Sequence, residues 1–299
     1  MSNTKNIRIA KLRKRLFKKN IKRSKVMNIV VCIIFALYTL TLLYPLFWAL
    51  LASLKTNEEF MLANRNGFPI DWTFANYVTA YESMSVTGVS MIAMLFNSFW
   101  YSGVGAFLNV FVCATSAYVL SRYKFIGQKF IYGLAMLVMV LPIVGALPSE
   151  YRVYHILGIA DSPLILLTQV GGFGFNFIVL YGIFKGIAKD YMEAAFVDGA
   201  GHFTVFFRIM LPQVTGTMLA LFLVMFIGRW NDYNTPLLYM RDMPTLSTGL
   251  FIYKSIMDRQ MQMPVYFAGI FICCIPPVIL YAFFQKSIMD VSIGGGIKG

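Results

Sequence analysis

The densest run of ionisable and small residues in an otherwise apolar chain is Lys185-Gly186-Ile187-Ala188-Lys189-Asp190-Tyr191-Met192-Glu193-Ala194-Ala195-Phe196-Val197-Asp198-Gly199-Ala200-Gly201-His202-Phe203, continuing to Arg208-Ile209-Met210-Leu211-Pro212. Asp190 suits a helix cap, and Glu193 three positions later fits the reciprocal partner of a capping box. Gly199 supplies a left-handed stop, and a second short helix is expected to lead into Leu211-Pro212. The spacing predicts a helix-turn-helix that shows Tyr191, Ala194, Ala195 and Val197–Asp198 to water, with small side chains that let another backbone come close. This is the chemistry of docking. Ile209, Leu211 and Pro212 set the angle at which the next helix begins.

Bond-making chemistry is not encoded. His155 and His202 have no carboxylate or cysteine at metal spacing, and Cys32, Cys113, Cys273 and Cys274 form no C-x-x-C pair. The chain has no G-x-x-x-x-G-K-[ST] phosphate loop and no nucleophile elbow, so an enzyme is disfavoured. The remaining polar residues that call for a reason are amides in apolar surroundings: Asn97, Asn109, Gln169 and Asn176. An unsatisfied polar group in hydrocarbon costs several kcal/mol, so these should face a protein interior, where they either join helices or line a path for a hydroxylated solute. Gln169 and Asn176 lie seven apart and would share one face of a helix, with Gly171, Gly172 and Gly174 between them permitting close packing or a local break. Asn231 and Asp232 could serve a gate or a partner contact, while Trp230 and Tyr233 suit interface anchors.

The elements that must hold these residues follow from composition. Of 299 residues, 58% are hydrophobic and 13% charged, against about 25% charged in soluble domains. Six windows lack Asp, Glu, Lys and Arg: Val26–Leu54, Ser83–Ser121, Phe130–Ser149, Ser162–Phe184, Ile209–Gly228 and Gln260–Gln285. The shortest has 20 residues, about what a helix needs to cross a ~30 Å hydrocarbon core. None alternates as a barrel strand would, so six membrane-spanning helices are predicted.

Lys and Arg give the orientation. The tail before Val26 carries 11 of the 26, and with alternate connections taken as cytoplasmic the inner side holds 19 and the outer side seven. Both termini are therefore expected in the cytoplasm. The basic tail offers no series of interleaved aromatics to stack bases, so anionic lipid headgroups, and not nucleic acid, are its expected partner. The first apolar run is about twice a signal-peptide core in length and reads as a retained helix. The predicted organisation is a basic tail 1–25, a first helix 26–54, an external loop 55–90, a five-helix core 91–286 containing the connection 185–212, and a cytoplasmic tail 287–299. The loop 55–90 holds the turn Asn64-Arg65-Asn66-Gly67 before Phe68-Pro69, with Trp72 and Tyr77 at headgroup level.

The order Glu193-Ala194-Ala195, three residues, Gly199, nine residues, Ile209, one residue, Leu211-Pro212 resembles the EAA loop of ABC-transporter permeases that work with a binding protein. Tyr44-Pro45-Leu46-Phe47-Trp48, Ser53-Leu54-Lys55, Gly228-Arg229-Trp230-Asn231-Asp232-Tyr233 and the ending Gly296-Ile297-Lys298-Gly299 are similar to the smaller permease of maltose-type carbohydrate systems. The resemblance implies the type I importer fold, with a coupling helix that docks in a cleft of a cytoplasmic ATPase through Glu193, Ala194, Ala195, Asp198, Gly199, Ile209, Leu211 and Pro212. It implies a cell-membrane assembly of this chain, a second homologous permease as heterodimer partner, two ATPase subunits that carry ATP and Mg, and an extracytoplasmic sugar-binding protein. No cofactor is expected on this chain. Asn97, Gln169, Asn176, Asn231 and Asp232 become its candidates for the sugar pathway. The competing reading is a six-helix secondary carrier or channel without ATPase partners; that class usually keeps intramembrane Asp, Glu or His, and the six windows have none.

Overall fold

A computed structural model describes residues 2–141, 145–256 and 262–294, with side chains placed from Met27 to Gln285 apart from Ile256 and the gaps. The ending 295–299, parts of the third and sixth charge-free windows, and residues 257–259 between the fifth and sixth windows lie outside the described residues. Among the described residues the regular structure is helical, and Val86 and Val89 pair only as an isolated bridge.

The chain divides into two units, Met1–Thr73 and Phe74–Gly299. In the first, helix α1 (Ser2–Ser53) is continuous through the basic segment that the sequence sets apart as a tail. Lys and Arg are good helix formers, and no Gly or Pro interrupts residues 2–26. After α1 the chain folds back around two buried ions. Lys55 Nζ donates to the carbonyls of Asn64 at 2.5 Å and Gly67 at 2.7 Å. Glu59 Oε1 accepts from the Ile70 amide at 2.9 Å and from Asn64 Nδ2 at 3.2 Å. Asn64 Oδ1 in turn accepts from the Gly67 amide at 2.8 Å, forming the expected turn. Burial alone would raise the Glu59 carboxyl, but the Ile70 and Asp71 amides, Asn64 and the charge on Lys55 together hold it below the ordinary value. Burial pulls the Lys55 ammonium down, against the raising effect of Glu59.

The second unit is built on α3 (Met91–Arg122), which packs mainly against α7 (Phe175–Gly186) and α10 (Leu211–Trp230), with α13 (Met263–Gly294) packed against α10. Ser98, Ser102, Gly105, Ala106, Cys113, Ala114 and Ala117 line the buried side of α3. These small residues fall in two groups, 98–106 and 113–117, along one side of the helix, so neighbouring helices approach closely. One core joins α3 to α7, to α8 (Asp190–Val197) and to the segment Val205–Met210 that leads into α10 through Tyr118, Phe177, Phe184, Met192, Phe206 and Met210. A second gathers α2 (Ala75–Ser83) and the other ends of α3 and α10 around Met84, Met94, Phe226 and Trp230.

Four helices are long and apolar enough to cross a membrane: Met27–Ser53, Met91–Arg122, His202–Trp230 and Met263–Gln285. The third and fourth windows carry shorter apolar helices, α4 (Gln128–Val140) and α7. Thirteen residues of α4 rise only ~20 Å. The fourth window is broken by its glycines. Helix α6 (Ile165–Thr168) ends at Gln169, and α7 begins after Gly174, whose φ of 134° is open to glycine and costly for other residues. Gln169 and Asn176 therefore do not share a helix face, because the break lies between them. The fifth window extends N-terminally instead. Helix α9 (His202–Thr204), a π segment Val205–Met210 and α10 run on as one rod. Pro212 has no N–H to continue the α-pattern, and the Leu211 amide reaches back to the Phe206 carbonyl.

Candidate functional site

The connection 185–212 forms the helical hairpin that its sequence predicts, with different end chemistry. Lys189, not Asp190, occupies the N-cap of α8, and no side chain caps the helix. The capping box is absent. Asp190 and Glu193 lie in the first turn, where their charges favour the positive end of the helix. The C-terminus closes as expected: the Ala200 amide bonds to the Ala195 carbonyl at 2.9 Å and the Gly199 amide to the Phe196 carbonyl at 3.0 Å. That pair is a Schellman motif, and it requires Gly199 at φ 81°.

One side of α8 is anchored and the other is free. Met192 and Ala195 are buried in the core against α7 and the π segment, so Ala195 is not part of the exposed surface. Tyr191, Glu193, Ala194, Val197, Asp198 and Gly199 are exposed. Phe203, 82% exposed, adds an apolar side chain that its sequence position alone did not single out. Ile209 and Leu211 pack on the core and Pro212 is at the surface of the rod, in keeping with a role in aiming α10.

Two side chains of unexpected importance position the hairpin. Arg122, at the last turn of α3, donates through Nη2 to the Phe184 carbonyl and, at 2.6 Å, to that of Ile187. It satisfies the carbonyl end of α7 with a cation. His202 is held between the Tyr123 hydroxyl, 2.9 Å from Nδ1, and the edge of Phe196, centroids 5.0 Å apart. It is thus a fastening of the hairpin to the α3 end.

A second polar assembly lies at the other end of α3 and α10. Arg229, 8% exposed, donates through Nη1 to Gln169 Oε1 at 2.8 Å and through Nη2 to the Gln169 carbonyl at 3.3 Å, and stacks 5.7 Å from the Tyr101 ring. The Tyr101 hydroxyl donates to Asp232 Oδ2 at 2.8 Å, while Asp232 Oδ1 receives the amides of Asn234 and Thr235. Gly105 makes room: a Cβ there would lie 2.7 Å from Arg229 Nη1. Gln169 and Asp232 are brought together, whereas the other pathway candidates are apart. Asn176 donates to Asn109 Oδ1 at 3.0 Å, joining α7 to α3. Asn97 donates to the Pro244 carbonyl at 3.0 Å and ties down the 240–245 turn. Asn231 is exposed at the end of α10. Trp230 is not an interface anchor; it is buried, with Nε1 donating to the Cys273 carbonyl at 3.0 Å.

The hairpin is thus anchored on one side and exposed on the other, at the end of a bundle of apolar helices. Residues 110–289 match the family described as binding-protein-dependent transport system inner membrane component, and the chain belongs to that family. It is a multi-pass membrane permease subunit, as its resemblance implied, and the family works with a binding protein. The chain is 28% identical over 84% of its length to the diacetylchitobiose uptake system permease protein NgcG of Streptomyces coelicolor, covering 83% of that protein. It is 28% identical over 92% of its length to the arabinooligosaccharides transport system permease protein AraQ of Bacillus subtilis, covering 97%. A crystal structure of a bacterial ABC transporter that imports the acidic polysaccharide alginate contains a similar chain, with TM-score 0.73, 20% identity, and coverage of 88% of this chain and 96% of that one.

Proposed function

We propose that the chain forms half of the translocation pathway for a sugar or oligosaccharide and takes its drive from an ATPase through the hairpin 185–212. The observation that carries this reading is the division of α8 into a buried side, Met192 and Ala195, and an exposed side that includes Glu193, Ala194, Asp198 and Gly199. A helix so anchored fits a groove in a partner, and rigid-body movement of that partner would pass into α3, α7 and α10 together. The Schellman turn and the Arg122 and His202 contacts supply the stiffness.

In this reading the chain crosses the membrane six times with both termini in the cytoplasm, the α6–α7 break lying inside the fourth crossing. It pairs with a second homologous permease, binds two ATPase subunits that carry ATP and Mg, and receives sugar from an extracytoplasmic binding protein. The basic segment 1–25 lies on anionic lipid. The uptake systems of its relatives support a carbohydrate substrate. Of the pathway candidates, Asn231, Asp232 and Gln169 keep that role, while Asn97 and Asn176 act in holding helices. Gly199→Asp, which strains the turn, and Glu193→Lys, which reverses the exposed charge, are expected to abolish ATP-dependent uptake and co-purification of the ATPase while the chain still inserts. Unchanged uptake with either variant would overturn the coupling role.

A further inference from the structure

Between the end of α10, α12 (Leu246–Ile256) and the start of α13 lies a cavity of about 640 Å³. Its walls combine three kinds of group. Tyr233 and Phe251 stack, centroids 4.3 Å apart and 14° between planes, to make one aromatic wall. Asn231, Ser247, Ser255 and Tyr266 supply an amide and hydroxyls. Lys254 adds a cation at the rim; it is exposed and makes no hydrogen bond or ion pair with any described residue. By contrast, the cavity beside Phe99, Pro276 and Phe283 is lined by apolar side chains alone.

We propose that this cavity binds an anionic sugar residue, its ring on the Tyr233–Phe251 wall and its acid group on Lys254. The size lies in the ~300–1,000 Å³ range of small-molecule sites. The C–H face of a pyranose packs on an aromatic plane, and its hydroxyls need convergent polar groups. Ser255 Oγ donates to the Phe251 carbonyl at 2.9 Å and is left as an acceptor, while Ser247 Oγ donates to the Asp232 carbonyl at 2.8 Å, lies 3.0 Å from the Thr245 hydroxyl and keeps one lone pair. Asn231 spends one amide hydrogen on the Ile227 carbonyl and keeps its oxygen. The described lining contains a cation and no carboxylate, so its field favours an acid over a neutral sugar. The Asp232 backbone also links the cavity to the Arg229 assembly.

The inference rests on the proposed permease function and deepens it, and the test separates the two. The permease pair with its ATPase subunits, purified without the binding protein, is titrated calorimetrically with digalacturonate and with its neutral match, galactobiose. A charge-assisted hydrogen bond predicts a preference of about tenfold for digalacturonate. Lys254→Gln is expected to remove the preference without weakening galactobiose, Lys254→Arg to keep it, and Phe251→Ala to weaken both sugars. Equal affinity for the two sugars, a preference that survives Lys254→Gln, or no binding of either by a complex whose ATP hydrolysis still responds to the binding protein would overturn the site and leave the permease reading intact. Failure of any ATPase to co-purify would overturn the proposed ATPase coupling instead.

Discussion

Arg229 is buried with no carboxylate in hydrogen-bond reach among the described residues. Its Nη atoms use Gln169, its plane faces Tyr101, and its Nε has no partner. Breaking such a set strands the acceptors, a cost of roughly 1–3 kcal/mol. Arg229→Gln is therefore expected to lower the detergent melting temperature and to reduce uptake. Gly105→Ala should do the same by pushing the guanidinium out of place, yet cost less in the Arg229→Gln background than in the native chain. A double-mutant cycle of melting temperatures checks this, and additive losses would show the two positions to be independent. Sequence singles out Gln169 and Asp232 here but not Arg229 or Tyr101. Arg229 stands there only within the Gly228–Tyr233 resemblance, with no role of its own, and Tyr101 is one of many aromatics; their contacts span 60 and 131 residues of chain. Glu59 carries a separate expectation. Its folded value lies below the ~4.3 of an unfolded carboxyl, so its contribution is complete above that pH and is lost as pH falls through the lower folded value. Proteolysis of segment 55–73 should accelerate only below about pH 4, and Glu59→Gln should remove that dependence.

At the scale of elements, local chemistry was legible where a single residue type decides the outcome. Gly199 was expected to stop α8, and it does so through two backbone bonds that a residue with a Cβ would strain by roughly 1–2 kcal/mol. Gly171, Gly172 and Gly174 permit a break, and they divide the fourth window. The capping box failed because a pattern of Asp and Glu three apart fits the first turn of a helix as well as its cap, and the chain turns one residue earlier, at Lys189. The burial of Ala195 could not be read from residue type, since Ala194 and Ala195 are identical in chemistry and differ only in the direction they face. What fixes that direction is the attachment of the hairpin to α3. Arg122→Gln should release the carbonyls of Phe184 and Ile187 and loosen the whole element. Hydrogen exchange of 184–200 is expected to quicken and uptake to fall, with sugar binding unchanged; unaltered exchange would place the rigidity elsewhere.

The molecule as a whole is organised by where charge is permitted. Side chains along Met27–Ser53 are almost entirely exposed until the last turns, which suits a helix surrounded by lipid, and the stretch Cys274–Gln285 of α13 is largely exposed as well. Apolar exposure on that scale is stable only in a bilayer or against a partner. The proposed orientation then follows from arithmetic that folding does not disturb: 19 basic residues against four acidic on one side, and seven against nine on the other. Moving the 11 cations before Val26 across a membrane would work against both the positive-inside bias and the anionic inner leaflet. In a background with the four native cysteines replaced, a cysteine at Ser2 or Asp198 should resist a membrane-impermeant thiol reagent in intact cells and react after lysis. One at Asn66 or Ser255 should react from outside. Labelling of Asp198→Cys in intact cells would put the hairpin on the wrong side for an ATPase, and the coupling proposal would fall with it. Labelling of Ser255→Cys from outside would leave its cavity open to the side from which a binding protein delivers sugar.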